Sequence, residues 1–259
     1  MRTDGRANDQ LRPIQIKRNF TEAAAGSVLW QQGKTIVWCT ASITPDVPPW
    51  FGDKKIGGWI TADYVMLPGS TTRRKDWPKI GHTDSRGTEI QRLIGRTIRA
   101  AVDLKKIGSH TIHIDCQVMQ ADGGTRTASI CGAYVALVDA VRKLPREVPQ
   151  PKFLALGAPV PARFDPTMYD PTRAIVTDLA GVSVGLINGE IRLDLDYEDD
   201  SRAQVDMNVA HTAAGKFVEI QGSAENAGGF DRDQTNRMLD LAVAGCQQIM
   251  EIQRDSLAK

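Results

Sequence analysis

Apolar positions along this chain follow two alternating periods, and each period predicts a kind of element. In Thr-Ile-His-Ile-Asp-Cys-Gln-Val, residues 111–118, polar and apolar side chains alternate, so Ile112, Ile114, Cys116 and Val118 share the buried face of a strand. Residues 28–43 predict a β-hairpin, because aromatic and β-branched runs flank Gln32-Gly33, a tight-turn pair. Pro45, Pro48, Pro49 and Gly52 then end strand pairing and predict a loop. Residues 182–195 and 205–221 predict two further hairpins, turned at Asn188-Gly189 and at Ala214-Gly215.

Helical spacing takes over in three places. Ile90, Leu93, Ile94, Ile98, Ala101 and Val102 recur at helical intervals. The capping-box pattern Thr88-Glu89-Ile90-Gln91 predicts that this helix starts at Thr88, and Gly108 offers a left-handed residue past its end. Arg92, Arg96 and Arg99 then share the face opposite the apolar stripe. Residues 127–141 are almost uniformly apolar, which predicts a helix packed on most of its sides. A last helix is predicted from Asp231, with Gln234 at the reciprocal capping position and Met238, Leu241, Ala242 and Ile249 inward. Hairpins plus helices in each half predict an α+β protein of two similar lobes, about 1–150 and 151–259, with a proline-rich stretch between Leu144 and Pro171 as the link.

The 259 residues can bury a proper core, and 41% apolar with 24% charged side chains excludes disordered and fibrous classes. A net charge of +1 names no partner, but the charges are unevenly placed. Residues 73–106 carry ten Lys or Arg against four acids, whereas residues 190–206 carry seven acids against two bases. Cys39, Cys116, Cys131 and Cys246 lie far apart without a CxxC pair, which predicts buried free thiols in a reducing compartment. The charged first residues lack a signal peptide's apolar stretch, and no run approaches the roughly 20 apolar residues that cross a bilayer. A cytoplasmic protein without a membrane span is expected.

Three segments can carry chemistry. Gln120-Ala121-Asp122-Gly123-Gly124-Thr125-Arg126-Thr127 lies between a predicted strand and a buried helix. Outward amides, the helix dipole and close backbone approach at glycine favour an anion there, with a hydroxyl from Thr125 and a fork from Arg126. The same Gly-Gly also fits an ordinary strand-to-helix turn. It is not a Walker A loop, for no lysine follows at that spacing. Arg86 precedes the helix that presents Arg92, Arg96 and Arg99, so this stretch reads as a phosphate ligand plus a sequence-independent track for RNA phosphates, or as a solvated basic face. In residues 193–200, leucines alternate inward while acids gather on the other side, and a Mg²⁺ ion would relieve their repulsion; a solvated strand end is the alternative. His82, His110, His113 and His211 form no metal or hydrolase pattern, and there is no Gly-x-Ser-x-Gly elbow.

Residues 1–5, Gly57-Gly58-Trp59-Ile60-Thr61-Ala62-Asp63-Tyr64, Glu89-Ile90-Gln91-Arg92-Leu93-Ile94-Gly95-Arg96 and residues 120–130 closely resemble the ribonuclease PH family. The resemblance continues through Val182-Ser183-Val184-Gly185, residues 193–201, Asp206-Met207-Asn208-Val209 and residues 217–222, covering nearly the whole chain. It implies a duplicated βαβα fold of the ribosomal protein S5 domain 2-like kind, cytoplasmic phosphorolytic trimming of tRNA 3′ ends, and a homohexamer built as a trimer of dimers. It also implies phosphate ligands at Arg86, Gly124, Thr125 and Arg126, with Arg126 catalytic as well. Two acids six apart, matched to Asp194 and Asp200, are implied for Mg²⁺ binding and catalysis, with Asp196 and Asp199 as weaker candidates. RNA contacts are expected from Arg73, Arg74, Arg92, Arg96 and Arg99. One departure stands out: Leu67-Pro68-Gly69-Ser70-Thr71 replaces the family's Leu-Pro-Arg-Ala-Thr and removes an RNA-contacting arginine. A catalytically silent RNA-binding ring subunit and a metal-dependent hydrolase are the rival classes.

Overall fold

The computed structural model describes residues 2–51, 57–77, 84–145, 167–225 and 229–259. Its first sheet is ordered β1 (Ile14–Arg18), β2 (Gly26–Gln32), β3 (Thr35–Thr44), β5 (Thr111–Gln120), β4 (Trp59–Met66). The hairpin at Gln32-Gly33 closes with Gln32 opposite Thr35, as the turn pair predicts. In β5 the alternation is realised, with Ile112, Ile114, Cys116 and Val118 buried. Strand β4 runs parallel to β5, so the intervening chain must cross over. Helix α1 (Ser85–Arg99) supplies that crossover and packs on β4.

The second sheet is antiparallel, in the order β7 (Glu190–Leu193), β6 (Leu179–Ile187), β8 (Val205–Thr212), β9 (Phe217–Ala224). Both predicted turns are present, at Asn188-Gly189 with positive φ on each residue and between β8 and β9 at Gly215. The short helix α3 (Tyr197–Arg202) joins β7 to β8. Helix α4 (Arg232–Ala258) starts from Asp231 with the reciprocal Gln234 cap present and lies on β6, β7 and β8.

Helix α2 (Thr125–Arg142) lies between the sheets, touching β2 and β3 on one side and β6 on the other. Every residue from Thr127 to Val141 is buried, which is why its sequence shows no polar face. One continuous core therefore runs from Trp30 and Ile114 through Tyr134 to Val182 and Met238, each large side chain contributing roughly 1.5–3 kcal/mol by burial. Cys39, Cys116, Cys131 and Cys246 are free thiols inside it. Among the described residues no helix is long and apolar enough to cross a membrane.

Two boundaries differ from expectation. Helix α1 begins one turn before Thr88, because the Asp84 carboxylate accepts from the Gly87 amide at 3.0 Å and the Asp84 carbonyl accepts from Thr88 N–H at 2.8 Å. Arg86 is thus inside its first turn. Gly108 instead ends a separate 3-10 turn, Leu104–Ile107. The loop expected after β3 contains one 3-10 turn, Pro49–Phe51. Most of the proline-rich link lies outside the described residues, which resume before the 3-10 turn Pro171–Arg173.

Candidate active site

A cavity of about 700 Å³ opens where the N-terminus of α2 meets α3 and β8. One wall is the loop that ends β5. Gly123 and Gly124 have φ of 72° and 63°, and a Cβ on Gly123 would lie 2.5 Å from the Asp196 carbonyl carbon. Only glycine lets this loop turn left-handed while pressed on the backbone entering α3. Its own polar groups are already served, since the Asp122 amide donates to Thr35 Oγ1 at 3.0 Å and Thr35 Oγ1 donates to the Gly123 carbonyl at 2.7 Å. Gly124 caps α2 without a side-chain hydrogen bond. Gly124, Thr125 and Arg126 line the cavity, so the orphan amides of that first turn, with the helix dipole behind them, are an arrangement able to take an anion.

Arg126 is held in place from two elements. Its Nη1 donates to Glu89 of α1 at 2.9 Å and to Gln221 of β9 at 2.6 Å, and Gln221 Nε2 bonds the same Glu89 oxygen at 2.7 Å. The Glu89 carboxyl lies below the usual carboxylate range because of the Gln221 bond and the nearby Arg126. Thr125 Oγ1 accepts from Tyr64 at 3.0 Å, a partner on β4 that sequence reasoning did not single out. Arg86, exposed on the first turn of α1, lines the same cavity, and the loop after β4 adds Arg73 and Lys75.

The opposite wall is acidic. Asp200 of α3 and Asp206 of β8 both line the cavity, together with Asn208. Burial raises the Asp200 carboxyl, against the pull of Arg86 and Arg126. Burial, followed by repulsion from Asp200, pushes Asp206 up to about 6. No cluster of three or more His, Cys, Asp or Glu able to hold a metal occurs among the described residues. Two adjoining carboxylates nonetheless suit Mg²⁺, which typically takes one or two from protein and fills its other positions with water and substrate.

The structure thus brings Arg86, Gly124, Thr125, Arg126 and Asp200 together, and leaves Asp194 out. Asp194 is 1% exposed and forked by Arg12, with Nε 3.1 Å from Oδ2 and Nη2 2.6 Å from Oδ1. Although burial works to raise this carboxyl, the charge and hydrogen bonds of Arg12 leave it lowered. Asp196 caps α3, and Asp199 pairs with Arg2 and Arg192, so neither weaker candidate lines the acidic wall as a free pair. The spacing that matches Asp194 to Asp200 fits Asp200 and Asp206 equally, and the latter pair faces the cavity.

The arginines expected to track RNA are divided between fold contacts and solvent. Arg96 is bonded to Glu219 of β9 at 2.7 Å, and Arg99 lies 4.5 Å over the Trp59 ring while donating to the Ile60 carbonyl at 2.9 Å. Arg92 is exposed, as are Arg73 and Arg74. His110 is buried against the Ile107 carbonyl, His113 meets Thr44, and His211 stacks edge-on with Phe217, all apart from the cavity; His82 lies outside the described residues.

Two family models match the chain: 3′ exoribonuclease family domain 1 over residues 10–143, and domain 2 over residues 179–245. The chain belongs to the 3′ exoribonuclease family. Within it, the chain is 49% identical to ribonuclease PH of Nocardia farcinica, covering 99% of this chain and 92% of that one. It is also 49% identical to ribonuclease PH of Rhodococcus erythropolis, covering 100% and 91%. The fold is shared with rice Rrp46, at 19% identity and a TM-score of 0.75 over the full length of both. It is likewise shared with a chain of the Archaeoglobus fulgidus exosome with RNA bound to the active site, at 22% identity, a TM-score of 0.73 and coverage of 96% and 91%.

Proposed function

We propose that this exoribonuclease shortens RNA from its 3′ end by phosphorolysis in the cavity between α2, α3 and β8. Orthophosphate sits on the first-turn amides of α2 at Gly124–Arg126, with Thr125 Oγ1, Arg126 and Arg86 as its side-chain ligands. A phosphate oxygen forms a bond to the last phosphodiester phosphorus, and the bond from that phosphorus to the preceding O3′ breaks. The products are a nucleoside diphosphate and RNA one nucleotide shorter, and the reverse reaction extends RNA. The observation that carries this reading is the meeting of an amide-and-arginine anion site with an acidic pair in one cavity.

The protein's part is positioning and charge. Glu89 and Gln221 hold Arg126 at the site, so that its charge is in place as charge develops on the transferred phosphoryl group. Phosphate brings its own oxygen anion, so no activated side-chain nucleophile is needed. Asp200 and Asp206 are the residues that would hold Mg²⁺, which when bound supplies further neutralisation of phosphoryl charge. A second reading, in which Asp206 donates a proton to the leaving O3′, draws on the rise of its carboxyl to about 6 by burial and by Asp200.

The resemblance further supports tRNA precursors as substrates, a cytoplasmic setting, and a homohexamer made as a trimer of dimers. Light scattering on the purified protein should then give about six times 28.3 kDa. The chemistry is tested by chromatography of digested RNA with and without phosphate. Nucleoside diphosphates appearing only with phosphate are expected, and Arg126→Ala should abolish their formation. Monophosphates in either condition would establish a hydrolase, and no products an inactive RNA-binding subunit.

A further inference from the structure

One buried ion pair next to the cavity takes no part in the chemistry above, yet it is built with unusual completeness. Arg12 is 4% exposed and Asp194 1%. Besides the two-pronged guanidinium contact, the Arg12 backbone amide donates to Asp194 Oδ2 at 2.7 Å. Asp194 has a φ of 54°, a left-handed conformation that costs a non-glycine residue free energy and persists where surroundings over-determine it. Those surroundings are on view. The Asp194 amide donates to the Ser183 carbonyl at 2.7 Å, and its carbonyl accepts from Arg2 at 2.8 Å and Arg6 at 3.1 Å.

The pair has two ends that matter. On one side, Arg12 Nη1 donates to the Asp122 carbonyl at 2.6 Å, and a Cβ on Gly124 would lie 2.9 Å from Arg12 Nη2. Arg12, which does not line the cavity, therefore backs the anion-binding loop. On the other side, Asp194 begins the segment that turns into α3 two residues later, where the Asp196 carboxylate accepts from the Asp199 amide at 2.9 Å. The Leu195 amide in between is fixed by Ser183 Oγ at 3.0 Å, and Ser183 itself lines the cavity. Asp200 follows within the same short helix.

We infer that Arg12 and Asp194 form a positioning brace that sets the separation between the anion loop and the α3 turn carrying Asp200. The brace rests on the phosphate site proposed above and touches neither phosphate nor RNA. A lysine at position 12 would keep the charge opposite Asp194 but lacks the fork that reaches both Asp194 and the Asp122 carbonyl. Thr35 offers a second handle, because its hydroxyl bonds both Asp122 and Gly123 and accepts from Arg12 Nη1 at 3.5 Å.

The test is orthophosphate binding by isothermal titration to the full-length protein without RNA, in Arg12→Lys, Asp194→Asn, Thr35→Val and Arg126→Ala. Thermal unfolding of each variant checks that it is folded. The brace predicts that the Kd for orthophosphate rises about tenfold or more in Arg12→Lys and Thr35→Val, as expected when binding groups shift by a fraction of an ångström. At saturating phosphate the KM for RNA should stay within about twofold, a split that general destabilisation does not produce. Asp194→Asn should weaken phosphate similarly if it folds, and the other two variants decide the matter if it does not. Wild-type phosphate affinity in folded Arg12→Lys and Thr35→Val, with binding lost in Arg126→Ala, overturns the brace alone. Wild-type affinity in Arg126→Ala overturns the phosphate site and the brace with it.

Discussion

Replacing Asp206 by asparagine should make the metal-free protein more stable while removing its activity. The Asp206 carboxyl is raised from 3.8 to about 6 by burial and by Asp200, so the folded state holds its proton more tightly than the unfolded chain does. Stability contributed by that proton is fully present below 3.8 and is lost as pH climbs to about 6, after which the folded protein carries an unfavourable charge. The interval corresponds to about 3 kcal/mol at 1.36 kcal/mol per pH unit, and partial solvent access reduces it to roughly 1–3 kcal/mol. Asparagine has nearly the same shape, keeps an oxygen for the 3.4 Å contact from Asn208 Nδ2, and carries no charge to bury. Thermal unfolding with a chelator should give a variant that matches wild type near pH 4 and exceeds it at pH 7.5, by about 2–4 °C for each kcal/mol. Added Mg²⁺ should raise the wild-type midpoint but not the variant's. A variant equal to or less stable than wild type at pH 7.5 would refute this account of the acidic wall.

Gly124→Ala places a Cβ 2.9 Å from Arg12 Nη2 at a φ of 63°, a conformation that costs an alanine about 1–2 kcal/mol; phosphate titration of turnover should show a raised KM for phosphate. A Cβ on Gly69 would meet nothing within 4 Å, so Gly69→Arg should be accepted without loss of stability. It should steepen the salt dependence of RNA binding by about 0.7 in log–log slope, the value expected for one added phosphate contact on a single strand. Arg99→Ala loses the Trp59 stack and the Ile60 bond and should lower stability by about 1–2 kcal/mol in denaturant unfolding. Its kcat/KM for RNA should not change, because this arginine is spent on the fold.

What the sequence made legible was local. The period of residues 111–118, the buried run 127–141, the hairpin turns and the Asp231 cap each follow from neighbours a few residues apart, and the structure contains them all. The start of α1 was missed for a local reason too, since Thr88–Gln91 has capping composition but Asp84 already serves those amides. Asp194 is a different case. It alternates with inward leucines as a solvated acid would, and its burial depends on Arg12, 182 positions away. Likewise Arg96 and Arg99 of α1 find partners in Glu219 of β9 and in Trp59, which no periodicity within the helix announces. The six-residue spacing was a true signal with two solutions, and Asp206 could have been found by applying it once more along the chain.

The acids of this region differ in what folding does to them, and the difference sorts their roles. Asp194 and Asp199 are surrounded by Arg12, Arg2 and Arg192, so their charges are neutralised inside the protein and leave nothing for a ligand. Asp200 and Asp206 face one another with Glu225 nearby, while Arg86 and Arg126 act only from a distance, and both carboxyls are raised. Folding therefore completes the first pair and leaves the second in deficit. The proposed phosphorolytic site calls for that arrangement: groups that fix geometry are satisfied by the protein, and groups that would meet the reaction's charge are left for the substrate and the proposed Mg²⁺. Packing of Gly123 against the backbone of residues 195–197 ties the two kinds of acid together mechanically, so the satisfied pair holds the unsatisfied one in register with the anion loop.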